Sequence, residues 1–198
     1  MTAAIILAAG ASSRLGQPKQ NLLHNGQTLL QYAVDCAQQS NCGQIVVVLG
    51  ANTDQIKPID GTTTLYNNHW QEGMASSIRL AIVELNKDTS IENAIILLCD
   101  QPFISPGLLN SLIDKHSETG MPIVACAYGG TTGPPALFHR SLFAKLLLLQ
   151  GHEGAKKILL AHAGETALVP FEKGSIDIDT LTDYENLIKV QPGNEPSL

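Results

Sequence analysis

A phosphate group is held by cationic side chains, by backbone N–H groups or by a metal ion. This chain gathers residues of all three kinds at a few places. The first is Leu7-Ala8-Ala9-Gly10-Ala11-Ser12-Ser13-Arg14-Leu15-Gly16-Gln17-Pro18-Lys19. Small residues let the backbone come close to a ligand, and inward-turned N–H groups make an anion cradle. Arg14 and Lys19 add the charge an oligophosphate needs, and Pro18 holds the turn before Lys19. The second place is Asp100, directly after the apolar run Leu97-Leu98-Cys99. A carboxylate at the carboxyl end of a strand is well placed for Mg²⁺, which takes one or two carboxylates plus phosphate oxygens and water. The third is Ile176-Asp177-Ile178-Asp179-Thr180-Leu181-Thr182-Asp183. Alternation with isoleucine predicts a strand with Asp177 and Asp179 on one face. Asp183 falls in the first turn of a last helix, where negative charge is favoured. The fourth runs from Asn67 to Ile78, a polar loop ending in Gly73 and then a helix that opens on small residues. Gly73, Ser76 and Ser77 can approach a base or a phosphate there, whereas Trp70 reads as packing.

Taken singly, each feature has an ordinary explanation. A Gly/Ser loop with two cations is usually a solvated surface loop, and a loop aspartate is usually a cap. The first segment asks for more, because a strand, three small residues, an arginine and a lysine stand at fixed offsets. It matches neither common phosphate loop. G-x-x-x-x-G-K-[ST] fails because Gln17 follows Gly16, and G-x-G-x-x-G fails because Ser12 follows Ala11.

The elements that position these residues follow from periodicity. Residues 3–8 and 94–99 are continuous apolar runs of buried-strand length and 44–49 contains a third, Ile45-Val46-Val47-Val48-Leu49, with weaker strands at 62–66 and 122–127. Helical spacing marks 29–39, 73–85, 105–116, 141–149, 153–163 and 182–189. Ser105 is a natural N-cap with Pro106 at the first helical position, and Thr180 or Thr182 caps the last helix. Alternation of strands and helices predicts a doubly wound α/β fold with a mostly parallel sheet and helices on both faces. One domain over residues 1–190 is expected, with 191–198 as a loose Pro- and Gly-containing tail. Residues 10–25 and 127–138 lack regular pattern and each follow a strand. Ligands of open α/β sheets bind at such loops.

Composition narrows the function. The 198 residues are 44% apolar and 15% charged, with mean hydropathy +0.08, enough to bury a sizeable core. A net charge of −6 and a pI near 5.4 argue against a general nucleic-acid partner. No apolar run approaches the roughly 20 residues that cross a bilayer. The opening stretch lacks a basic leader, so a cytoplasmic protein is expected. The cysteines Cys36, Cys42, Cys99 and Cys126 form no C-x-x-C pair. The histidines show no metal-ligand spacing.

The string LAAGASSRLGQPK resembles the signature L-A-A-G-x-S-x-R-M-G-x-x-K of the MobA-like NTP transferase superfamily, with Leu15 for Met. Within it the chain is most similar to the molybdenum cofactor cytidylyltransferases, since guanylyltransferases usually read L-A-G-G. Cys99-Asp100-Gln101-Pro102 resembles the family's G-D-Q-P, and Asp177 to Asp183 resembles its D-x-D-T-x-x-D ending. Asn67 to Ser77 resembles its N-x-x-W-x-x-G-M-x-x-S stretch. The resemblance implies a nucleotide-diphospho-sugar-transferase type of Rossmann-like fold. It implies that the backbone from Leu7 to Gly10 holds base and ribose and that Gly10 to Arg14 wraps the triphosphate. Lys19 then reaches the attacked phosphate, and Asp100 and Asp179 hold Mg²⁺. The expected activity moves a nucleoside monophosphate from an NTP, CTP favoured, to molybdopterin, with transient contact to a molybdoenzyme or chaperone. Two departures bear on the acceptor. Gly133-Pro134-Pro135 stands where the family usually has G-H-P, and Gly151-His152-Glu153-Gly154-Ala155 where it has G-D-x-G-A. His152 is a candidate to replace that Asp. Another small phosphate acceptor, or an NAD(P)-dependent oxidoreductase reusing the fold, remains the alternative.

Overall fold

The computed structural model describes residues 1–189, so the tail expected at 191–198 lies outside the described residues. The chain opens with β1 (Thr2–Ala8), then a short hairpin of β2 (Leu23–His24) and β3 (Gln27–Thr28). Asn25 and Gly26 form its turn, both at positive φ, 50° and 82°. There follow α1 (Leu29–Gln38), β4 (Gln44–Leu49), β5 (Thr63–Tyr66), α2 (Met74–Leu85), β6 (Asn93–Leu98) and α3 (Pro106–Thr119). The chain continues through β7 (Ile123–Tyr128), β8 (Thr131–His139), α4 (Phe143–Leu146), α5 (Lys156–Ala161), β9 (Thr166–Pro170) and α6 (Leu181–Lys189).

Seven strands make one sheet in the order β5-β4-β1-β6-β8-β7-β9. β1 pairs in parallel with β4 and β6, β4 with β5, and β7 with β9. Only β8 runs against its neighbours β6 and β7. The mostly parallel α/β sheet expected from the sequence is therefore present.

Period-two alternation sorts the strand residues between two cores. Ala3, Ile5 and Leu7 join Val46, Val48, Ala94 and Ile96 on one face, under Ile78 and Ile82 of α2. Ala4, Ile6 and Ala8 join Ile45, Val47, Leu49, Ile95 and Leu97 on the other, under α1 and α3. Because both faces are covered, these strands read as unbroken apolar runs. Ser105 caps α3 by accepting from Leu108 N–H at 3.1 Å. A third, smaller cluster joins Leu15, Leu22, Leu29, Ile178 and Leu187. It ties the first loop to the segment before α6.

Four sequence expectations change. Residues 127–138, expected to be irregular, are mostly β8. Its ladder pairs Ala125 with Ala136 and then Cys126 with Gly133, so Pro134 and Pro135 are skipped by β7. β6 pairs only with Ala136 to His139. The two residues lacking an N–H thus sit in a bulge where none is needed. β9 was not anticipated, being a short edge strand that ends on Pro170. The helix expected over 141–149 shrinks to a 3₁₀ turn, Arg140–Leu142, and one α turn. Asp177 and Asp179 are not on a strand, because the segment around Ile178 has no strand partner. Among the described residues no helix is long and apolar enough to cross a membrane.

Candidate active site

The site lies where β1 and β6 end. β1 delivers Ala8 to the edge of the sheet, and the chain then leaves it through residues 9–18 before a 3₁₀ turn, Lys19–Asn21. Ser12 is at φ +53°, and its Oγ accepts the Lys19 N–H at 3.0 Å. That bond closes the loop and aims the Lys19 side chain back across it. β6 places Asp100 beside the loop. The Asp179 segment is docked there by one backbone bond, Ile178 N–H to Asp100 O at 3.1 Å, with the Ile178 side chain fully buried. The alternation inferred from the sequence therefore survives without a strand. Ile178 points inward, and Asp177 and Asp179 flank it.

The result is a charge cluster. Lys19 Nζ forms an ion pair with Asp100 and donates to Asp179 Oδ1 at 3.1 Å. Arg14 Nη2 lies 3.5 Å from Asp179 Oδ2, with its side chain 72% exposed. Burial alone pulls the Lys19 ammonium down, but Asp100 and then Asp179 outweigh it, so its pKa stands well above the ordinary lysine value. Loss of hydration, then Asp100 and Asp179, push the Asp177 carboxyl up to about 6, although it remains open to solvent. Burial pushes the Cys99 thiol up to about 12, so it is a protonated packing group.

Asp100 is 7% exposed, and its Oδ1 has no hydrogen-bond partner among the described residues. Its other oxygen shares the Lys19 ammonium with Asp179. Two carboxylates thus already converge on one positive charge. No group of three His, Cys, Asp or Glu forms a closed cage among the described residues. Two carboxylates and an orphaned oxygen suit a cation completed by phosphate and water, which is the habit of Mg²⁺.

A cleft of about 480 Å³ opens over this cluster. Leu7, Ala8, Ala9, Gly10, Ala11, Arg14, Lys19, Gly73, Ser77, Asp100 and His152 line it, so eleven of the expected residues share one wall or another. Ser12 and Ser13 line a smaller hollow of about 170 Å³ beside it, with Arg14, Lys19 and Asp179. Ser76 is a correction. Its hydroxyl donates to Gly73 O at 2.8 Å and accepts from Asn67 Nδ2 at 2.7 Å, and it does not line the cleft. Trp70 both packs on the core and lines the cleft. Gln20, Gln71 and Met74 line it too and were not anticipated. Gln20 was legible only as the neighbour of Lys19.

Gly73 explains how His152 gets there. It sits at φ +124°, and a Cβ on it would run into the Gly151 and His152 backbone. The close approach lets Ala75 N–H donate to Gly151 O at 3.2 Å. Past His152, a narrower slot of about 230 Å³ is lined by Ile96, Tyr128, Pro134, Ala136, Leu159 and Asp177, among others. Met74, Leu98 and His152 border both spaces, so they join. Gly133 does not line the slot, which is a second correction. A side chain there would strike the Tyr128 hydroxyl, so Gly133 makes room for that ring. Asp183 serves as a cap. Thr180 N–H donates to its carboxylate at 2.8 Å, and Asp183 N–H donates to Thr180 Oγ1 at 3.2 Å.

The MobA-like NTP transferase domain matches residues 4–166. This chain belongs to that family. Nicotine blue oxidoreductase of Paenarthrobacter nicotinovorans is 30% identical over 137 residues, which is 67% of this chain and 65% of that protein. The bifunctional protein GlmU of Staphylococcus saprophyticus is 32% identical over 119 residues, 58% of this chain but only 26% of GlmU. The chain thus matches about a quarter of that curated relative. Among solved structures, Rv0371c of Mycobacterium tuberculosis superposes with TM-score 0.84 at 29% identity, covering 95% of this chain and 97% of that one. A manganese complex of Rv0371c superposes with TM-score 0.81 at 26% identity, covering 96% and 99%.

Proposed function

We propose that residues 1–190 act as one nucleotidyltransferase domain. It moves a nucleoside monophosphate from an NTP, CTP by preference, to a small phosphorylated acceptor, molybdopterin by preference. The observation that carries this reading is the Lys19 ammonium bridging Asp100 and Asp179 at the rim of a cleft walled by the Leu7-to-Ala11 backbone.

In the reaction, an acceptor phosphate oxygen attacks the α-phosphorus in line. The new P–O bond forms as the bond to the β-phosphate oxygen breaks, and pyrophosphate leaves. The acceptor oxygen is already anionic, so no strong general base is called for. Positioning and charge neutralisation carry the rate. Lys19 and Arg14 face the charge that builds on the transferred group. Asp100 and Asp179 would hold Mg²⁺, which supplies Lewis-acid charge stabilisation when bound. The manganese complex of the similar protein Rv0371c supports a divalent metal here. Ala9 in place of a second glycine supports CTP over GTP by the family resemblance. The apolar slot beyond His152 suits a flat ring system on the acceptor. A cytoplasmic site of action, with transient delivery to a molybdoenzyme or chaperone, belongs to this same reading.

One observation favours a second reading. The likeness to nicotine blue oxidoreductase covers two thirds of this chain, so the fold could instead seat a nicotinamide dinucleotide. A thermal-shift panel of CTP, GTP, ATP, UTP and NADPH, each with and without Mg²⁺, separates the two. Stabilisation by CTP that requires Mg²⁺ is expected. Stabilisation by NADPH with none from any NTP would overturn the transferase reading.

A further inference from the structure

Gln20 is fully buried, yet it is an amide next to the charged cluster and borders the cleft. Its Nε2 donates to Ala8 O at 2.6 Å and to Gly10 O at 3.2 Å. These two partners fix the orientation of the amide, because the reverse would set its oxygen against two carbonyl oxygens. The consequence is that Oε1 is buried with no partner among the described residues. An orphaned buried acceptor is unfavourable, so a gain must lie elsewhere.

That gain is visible in the loop. Ala9 O accepts from Ala51 N–H at 3.0 Å, and Ala11 O accepts from Asn52 Nδ2 at 3.4 Å. Together with the two bonds from Gln20, four successive carbonyls, Ala8 to Ala11, are tied back into the protein. In a trans peptide the C=O of one residue and the N–H of the next point in opposite directions. The two bonds from Gln20 therefore turn the N–H groups that share a peptide with Ala8 O and Gly10 O, those of Ala9 and Ala11, away from Gln20. Among the described residues, the N–H groups of residues 10–13 donate to no protein acceptor. Gly10 and Ala11 line the cleft.

We infer that Gln20 is a positioning residue that polarises this loop, holding its carbonyls away and its N–H groups toward a bound oligophosphate. This rests on the transferase reading only for the identity of the anion. A donor is required at this position, not merely a side chain of this size. Gln20→Met keeps the shape and removes the donor. Gln20→Glu replaces the donor by an acceptor that can donate only when protonated.

The test measures binding of magnesium–CTP, and separately of inorganic tripolyphosphate, by wild type and both variants. Gln20→Met is expected to weaken both ligands about 10- to 30-fold, the scale of two lost hydrogen bonds, and to raise KM for NTP more than it lowers kcat. If that variant does not fold, Gln20→Glu decides through pH. Its affinity relative to wild type should recover as pH falls from 8 to 5, since the protonated carboxyl can again donate to a carbonyl. Unchanged tripolyphosphate affinity in Gln20→Met, or a pH-independent loss in Gln20→Glu, would overturn the inference. A wild type that binds tripolyphosphate but no NTP, with both effects intact, sinks the transferase reading and leaves Gln20's role standing. A wild type that binds neither ligand removes both.

Discussion

Lys19 is where the site's electrostatics are concentrated, and its role divides into two parts that can be measured separately. In the proposed transfer Lys19 is the cation facing the moving group, and Lys19→Ala should lower turnover at least ~100-fold, the scale of removing one preorganised electrostatic group. Near-normal turnover in a steady-state assay would refute the assignment. As the counter-charge between Asp100 and Asp179, its loss leaves two carboxylates facing each other. Magnesium alone should then raise the melting temperature of Lys19→Ala more than that of wild type. Equal shifts would mean that the carboxylates do not share a cation site. The pH dependence has a definite sign. The folded pKa of Lys19 is raised, so its contribution is complete below the ordinary lysine value of about 10.4 and fades only above it. NTP binding should show no alkaline limb from this residue between pH 6 and 9. Asp100→Asn keeps the size of the side chain and removes its charge, and should weaken the magnesium dependence of turnover. An unchanged magnesium titration would count against Asp100 as a ligand. Arg14 contributes differently. Its pair with Asp179 is exposed and so worth little to stability, which leaves the guanidinium free to engage a ligand.

Among the elements, the start of α2 shows how a glycine can carry function through its backbone. Gly73 combines a positive φ of 124° with backbone packed where a Cβ would be. Gly73→Val should lower stability by roughly 1–3 kcal/mol and displace the 151–152 backbone. The expected kinetic signature is a raised KM for the acceptor with a smaller change in KM for the NTP. A shift confined to the NTP would mean that His152 does not belong to the acceptor side. The same scale shows what the sequence could reveal. Strands β1, β4 and β6 were legible because both faces are buried and no polar residue interrupts them. The first loop and Asp100 were legible because they follow those strands directly. β8 was not, since two prolines and a glycine argue against a strand until the bulge that skips them is seen. Asp179 is legible by its alternation with Ile178, although no strand produces that alternation. A backbone bond to Asp100 O, the buried Ile178 side chain and the Lys19 ion pair, rather than a ladder, hold the segment. Gln20 and Ser76 could not be sorted in advance. Both are polar residues beside a motif, and only their hydrogen bonds decide which of them shapes the cleft.

At the scale of the whole molecule, residues 7–20, 70–77, 98–100, 152 and 177–179 come from distant parts of the chain and meet at one end of the sheet. The helices α1 and α3 cover one face of that sheet and contribute no lining residue to the cleft. Scaffold and chemistry should therefore be separable by mutation. Leu112 on α3 is fully buried in the core under that face. Leu112→Ala is expected to cost about 2–5 kcal/mol and, for a domain of this size, to lower the melting temperature by roughly 4–20 °C. Below its melting transition it should retain kcat and KM for NTP within about twofold, because additivity holds for sites without shared partners. Loss of NTP affinity in the folded variant would mean that the α1–α3 layer is coupled to the cleft. Hydrogen exchange offers the complementary measurement on the wild type. Magnesium–CTP should protect amides in 9–19, 98–101 and 176–180 and leave α1 and α3 unchanged. Protection centred instead on residues 160–172, at the β9 edge of the sheet, would place the ligand in the hollow formed by Tyr128, Leu160 and Leu168, and the functional cleft would have to be moved there.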